Sequence, residues 1–246
     1  GTYYVHVVDS EGNTASASIE AYVLTLNEGK GTSLVVKADG STGSVVESGT
    51  GILTGTVIYA EATAMLGYDV VVLKDGSNEV ENPYTVEMGS DKTLESSASL
   101  IEYIISYELN GGSVVEGRNP TSYTVESEEI ILINPSREGY NFVGWTGTGL
   151  AVETLEVVIS KGSTGDREYS AQWSDSQAPT VSITREDYKT FSWSATDNEG
   201  VTGYAITRSA SKPTSYSEGT RGSYEIIESG TYYVHVVDSE GNTASA

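Results

Sequence analysis

The chain alternates. Tyr3, Val5 and Val7 fall on one face of an extended segment, and Tyr4, His6 and Val8 fall on the other, which is the period of two that marks a strand. Asp9-Ser10-Glu11-Gly12-Asn13 then breaks the run with turn chemistry, since Gly and Asn both tolerate positive φ. Thr14 to Ile19 resumes the alternation with small side chains. Strand, short Gly-containing loop and strand predict a β-hairpin over residues 1–17. The same pattern continues downstream. Ala21–Leu26 runs into the turn cluster Asn27–Gly31, Ser33–Ala38 into a Gly/Ser-rich stretch, and Thr56–Ala62 leads to Gly67–Leu73. Apolar residues seldom recur with helical spacing, and the nearest approach to a helical turn is Glu61–Met65. The chain reads as all-β.

The opening hairpin occurs twice. Residues 1–17, GTYYVHVVDSEGNTASA, return without a change at residues 230–246, an offset of 229 positions. Such identity means duplication, and a fixed period is the signature of an array. The expectation is one full period of a tandem array plus an overlap, with residues 1–17 the tail of a preceding repeat. A lone two-stranded hairpin is marginally stable, so it should pack on its neighbour or pair with another molecule.

After the first copy the turns divide the chain into segments 18–99, 100–173 and 174–246, the last of which ends in the second copy. Segment 100–173 carries YELNGG (107–112), SYTVESEEIIL (122–132), NPSREGYNFVGW (134–145) and REYSAQW (167–173) in order. It resembles the internalin B-repeat, a small β-grasp-like sheet found in strings on secreted bacterial proteins. GTVIYAEATAMLGYDVVVL (55–73) and NPYTVEMGSDKTLESSA (82–98) give segment 18–99 a more divergent resemblance to the same family, without the Trp that usually follows Gly-Tyr. Segment 174–246, with Ala178-Pro179-Thr180, Trp193-Ser194-Ala195-Thr196-Asp197-Asn198 and the closing hairpin, resembles bacterial Ig-like surface domains. The resemblances imply β-grasp-like sheets plus an Ig-like β-sandwich, a linear string of three small modules. Tyr140, Phe142, Trp145 and Trp173 are spaced to place large rings on one sheet face as core, with a sugar-binding platform the alternative, and Trp193 is expected between two sheets.

Charge narrows the function. There are 35 acidic and 13 basic residues, a formal net charge of −22. That surface repels nucleic acid, whose binding needs Lys and Arg, and it attracts divalent cations. No apolar run is long enough to span a bilayer. With no cysteine, disulfides and thiolate chemistry are absent. The two histidines are one repeat position, His6 and His235. No nucleophile elbow, phosphate-cradling loop or His-rich metal spacing occurs, so no catalytic residue is named and no enzyme is expected. No cofactor is required; the one candidate is calcium, held by turn residues Asp175, Asp197, Asn198, Glu199, Asp238 and Asn242, which offer the oxygen donors it prefers, with ordinary turn chemistry the alternative for the same residues. A Lys–Asn isopeptide bond in segment 174–246 would join Lys189 to Asn242 or Asn198. The expected role is an extracellular structural repeat of a secreted or cell-surface bacterial protein, forming a stiff stalk or filament. Its partners are neighbouring copies of the repeat and other chains of the same protein. The alternative is an adhesin whose modules bind a glycan or protein directly.

Overall fold

The computed structural model describes residues 1–246 as strands joined by turns, with no helix. The chain divides into two compact units. The first is Gly1–Ile104 with Ser122–Ile130 and Ile159–Asp166, and the second is Ile105–Thr121 with Ile131–Val158 and Arg167–Ala246.

In the first unit, β1 (Thr2–Val8) and β2 (Thr14–Glu28) form the opening hairpin. The second strand does not stop with the hairpin. It runs for 15 residues, about 50 Å of extended chain. Its first half pairs with β1 as far as Glu20. From Ala21 onward it pairs with β4 (Thr50–Leu53) and, in parallel, with β9 (Lys92–Leu100). Around it are β3 (Thr32–Ala38), β5 (Val57–Ala64), β6 (Tyr68–Asp75), β7 (Asn78–Val80) and β8 (Tyr84–Glu87). One sheet has the order β1-β2-β9-β6-β7, with β4 also on β2, and a second has the order β3-β5-β8. Their core holds Leu24, Val36, Ile58, Leu73, Met88 and Leu94. Glu61–Met65, the candidate helical turn, is strand instead: β5 extends to Ala64. Ala60 and Ala62 alternate into the core, and the strand is paired with β3 along its length.

The next strand, β10 (Tyr103–Glu108), begins in this unit beside β11 (Ser122–Tyr123). From Ile105 it belongs to the second unit and lies parallel to β15 (Arg167–Asp175). A two-stranded ladder joins β12 (Ile130–Ile131) to β14 (Val158–Ile159). The path β11-β10-β15-β13, where β13 is Tyr140–Gly147, repeats β4-β2-β9-β6: opening and closing strands lie parallel at the centre. Strand β13 carries a bulge. Phe142 faces Trp173, but Gly144 faces Gln172, so Val143 is the extra residue. The inserted residue shifts the alternation by one. Phe142 and Trp145, three apart, therefore share a face, with ring centroids 5.5 Å apart. Trp145 is fully buried, Trp173 joins through Phe142 at 5.4 Å, and Tyr107 and Tyr169 complete the cluster. Tyr140 is not in it.

The remaining strands form two facing sheets. One is β16 (Thr180–Arg185), β17 (Thr190–Thr196) and β19 (Arg221–Glu225); the other is β18 (Val201–Thr207), β20 (Tyr233–Asp238) and β21 (Thr243–Ser245). Trp193 from the first meets Tyr204 from the second at 4.4 Å. Val234 and Val236 are packed in the same core.

The duplicated hairpin folds the same way in both places. His6 pairs with Ser16 and His235 with Ser245, and the ring nitrogens reach the serine hydroxyls at 2.5 and 2.6 Å. The environments are opposite. Val5 and Val7 are 65% and 57% exposed, whereas their counterparts Val234 and Val236 are 0% exposed. Identical residues in identical register thus present a bare apolar face at one end and a buried one at the other. Val236→Ala should cost about 2 kcal/mol through lost burial and cavity formation. Val7→Ala should stay within about 0.5 kcal/mol. Hydrogen exchange of β17 and β20 against β2 reads the difference.

Candidate functional sites at the junctions between sheets

A Gly-Tyr pair opens both β6 and β13, and the two pairs do the same three things. First, the glycine carbonyl accepts the amide of the residue just past the closing strand: Ile101 N bonds Gly67 O at 3.0 Å, and Ser176 N bonds Gly139 O at 2.9 Å. Second, the bare glycine lets the following chain approach. Both have positive φ, and a Cβ would lie 2.0 Å from Val125 at Gly67 and 2.8 Å from Gln177 at Gly139. Third, the tyrosine hydroxyl donates to a glutamate beyond its own sheet, Tyr68 to Glu126 and Tyr140 to Glu199. This is why Tyr140 is absent from the aromatic core: its ring lies under the Arg137 guanidinium, 3.5 Å from carbon to centroid, and its hydroxyl faces the loop after β17. It also explains why residues 122–130 cluster with the first unit and residues 174–246 with the second.

Electrostatics differ at the two contacts. Glu126 also receives Lys30 Nζ at 2.6 Å. Lys30 first, and the Tyr68 hydroxyl second, hold the Glu126 carboxyl below its ordinary value. The same hydrogen bond raises the Tyr68 hydroxyl. Glu199 has no ion pair, and its hydrogen bond is the largest influence raising Tyr140.

The six turn residues named as calcium candidates gather partly. Asp175 ends β15 and is buried. Its Oδ1 accepts from the Gln177 amide and from Asn198 Nδ2, both at 3.0 Å. Those bonds, Asn198 first, lower its carboxyl below the usual range. Asp238 ends β20 and is also buried, with both oxygens bonded by Asn242 at 2.8 Å. Asn242 Nδ2 also reaches the Asp175 carbonyl at 3.3 Å. Asn198 and Asn242 therefore act as donors that clamp carboxylates. Asp197 caps its own turn through the amides of Glu199 and Gly200, and Glu199 is engaged by Tyr140. Glu240, which is not among the six, lies with Asp175 and Asp238: one oxygen from each falls within 4.8 Å of the others. Its signal in the sequence is its place two residues after Asp238 in the same acidic turn. Asp238 and its turn are also what the first hairpin reproduces in solvent, where Asn13 bonds Asp9 at 2.8 Å through both nitrogens.

Other chemistry-bearing groups are absorbed by structure. His235 is 1% exposed and shares hydrogen bonds with Thr207, Ser209 and Ser245. Burial, with Tyr169 beside it, pushes the Tyr107 hydroxyl up to about 12, and it donates to Pro120 O at 2.8 Å. A concavity of about 470 Å³ beside β13 and β15 is lined by Glu108, Glu168, Tyr169 and hydroxyl side chains.

Bulged strand, parallel central pair and aromatic cluster all lie within one segment. Residues 103–172 match the Listeria-Bacteroides repeat domain (Flg_new). Listeria-Bacteroides repeats are structural repeats of bacterial surface proteins. The match falls inside the segment assigned from its Gly-Tyr and Tyr-x-Ala-x-Trp blocks. No curated protein and no solved structure matches the chain.

The Glu126 contact makes a pH prediction. A carboxyl held below its ordinary value of 4.5 adds stability that is fully present above that value and is lost as pH falls through the folded value. Glu126→Gln should therefore lower the melting midpoint of β2–β9 at about pH 6, and the difference should shrink as the pH falls below 4.5. A difference that persists in acid would contradict the ion pair's role. Gly67→Ala, with φ of 82° and Val125 in the way, should cost about 1–2 kcal/mol and loosen the junction, read by hydrogen exchange at Ile101.

Proposed function

We propose that the chain is one period of a stiff extracellular bacterial stalk or filament, built from Ig-like and B-repeat-like modules that hand their backbone from one to the next. The observation that carries this reading is the duplicated hairpin. Residues 230–246 complete a two-sheet core, and residues 1–17 have the same sequence, register and hydrogen bonds with the apolar face uncovered. In an array, the preceding period would supply the segment equivalent to residues 174–229, and the first hairpin would complete that sandwich. Its second strand then continues into the next core without a linker. The repeated strand path of segments 18–99 and 100–173 supports reading both as B-repeat-like, the first a divergent one. The high acidity keeps parallel stalks apart and soluble.

The reading predicts self-complementation. Removing residues 230–246 opens the core around Trp193 while leaving residues 1–17 in place. The 1–229 chain should assemble head to tail into open-ended oligomers, because the two surfaces are different and do not close on themselves. Light scattering after size exclusion measures this. Val5→Asp with Val7→Asp in the 1–229 chain, or deletion of residues 1–17, should abolish assembly. If the 1–229 and 18–229 chains behave alike, the hairpin is not a module's missing strands.

A further inference from the structure

Three carboxylates meet where β15 ends beside the β20–β21 turn. Asp175 is 6% exposed and Asp238 is 2% exposed. Glu240 reaches them from the surface side of the turn, with one oxygen of each carboxylate inside 4.8 Å of the others. Acidic groups near one another on a surface need no explanation, but two of these are buried. One has an oxygen with no donor: Asp175 Oδ2 is enclosed and accepts no hydrogen bond, although Oδ1 of the same group accepts two. Leaving a buried carboxylate oxygen unpaired is costly. Three negative groups at this spacing repel one another, and none of them belongs to an ion pair. The donors present are the Gln177 backbone amide and Asn198 Nδ2 on Asp175, the backbone amide and Nδ2 of Asn242 on Asp238, and the Ser239 hydroxyl on Glu240. None of them reaches Asp175 Oδ2.

We propose that Asp175, Asp238 and Glu240 bind a calcium ion, with Asp175 Oδ2 as the buried ligand. The donor set is oxygen only, without His or Cys, as a hard cation requires. Three carboxylates are too few to fill a calcium shell of about six to eight oxygens, and water and backbone carbonyls complete it. Asn198 and Asn242 hold the carboxylates in place rather than serving as ligands. The hairpin turn alone is not the site. Asp9, Glu11 and Asn13 repeat its residues and its hydrogen bonds, but they are exposed and no Asp175 stands opposite them. The ion therefore ties the end of β15 to the closing hairpin of the sandwich. This inference is independent of the array reading, since every ligand lies in one compact unit.

The test uses the full 246-residue chain with calcium as the only added ligand. Calorimetric titration into chelator-treated protein should give one site, and calcium at about 5 mM, above the range typical of extracellular modules, should raise the melting midpoint of the two-sheet sandwich. Asp175→Asn should weaken binding by at least about tenfold and remove the midpoint shift. Glu240→Gln, at an exposed position where folding is not at stake, should weaken binding several-fold while leaving the midpoint in chelator unchanged or raised, since one repelling charge is removed, and it carries the test if Asp175→Asn does not fold. Asp9→Asn should bind like the unmodified chain. Equal midpoints with calcium and with chelator, or an Asp9→Asn loss as large as that of Glu240→Gln, would overturn the site.

Discussion

One strand belongs to two structures. β2 pairs with β1 over its first half and with β4 and β9 over its second, so the hairpin and the core of Leu24 and Leu94 share an unbroken backbone. A flexible linker would let the two parts reorient at little cost. A paired strand cannot bend freely, and here the ladder with β1 ends at Glu20 and the ladder with β4 begins at Ala21, so no unpaired residue lies between them to serve as a hinge. The rest of the chain follows the same economy. Only two residues separate β9 from β10, and Tyr103 is already paired with Tyr123.

Where the backbone does turn, side chains take over. The Gly-Tyr pairs at Gly67-Tyr68 and Gly139-Tyr140 place a carbonyl, a bare Cα and a hydroxyl against the segment that follows. None of these contacts is strong alone. Together they restrict how that segment leaves its sheet, and a net charge of −22 opposes close approach of one acidic surface to another. Energy for folding comes from small separate cores: aliphatic residues around Leu24 and Ile58, the Trp145 ring cluster, and Trp193 between its sheets.

Much of this was legible in the pattern of residues. Period-two alternation and frequent Gly, Asn and Ser point to an all-β chain, and the exact duplication of residues 1–17 marks a hairpin from the residues alone. What periodicity could not show was the bulge. The common face expected for Phe142 and Trp145 exists only because Val143 is an extra residue, since unbroken alternation would set Trp145 opposite Phe142. Tyr140 lies at the start of the strand, where Arg137 and Glu199 claim it. Glu61–Met65 looked helical because Ala-rich stretches favour helix locally, and pairing with β3 overrode that preference. The acidic turns were visible as a set, but which carboxylates converge depends on tertiary placement: Glu240 comes to lie with Asp175 and Asp238, while Asp197 caps its own turn and Glu199 is engaged by Tyr140.

The central claim is that a continuous strand, not a hinge, joins the hairpin to the core that follows it. The direct measurement is small-angle scattering from a polypeptide of three consecutive periods, compared with the same polypeptide carrying a Gly-Ser-Gly-Ser insertion between Glu20 and Ala21 of each period, where the hairpin ladder gives way to the core ladders. The account predicts a persistent, extended particle whose length grows by a constant step per period, and a clear loss of that extension on insertion. Equal scattering from the two polypeptides would contradict it.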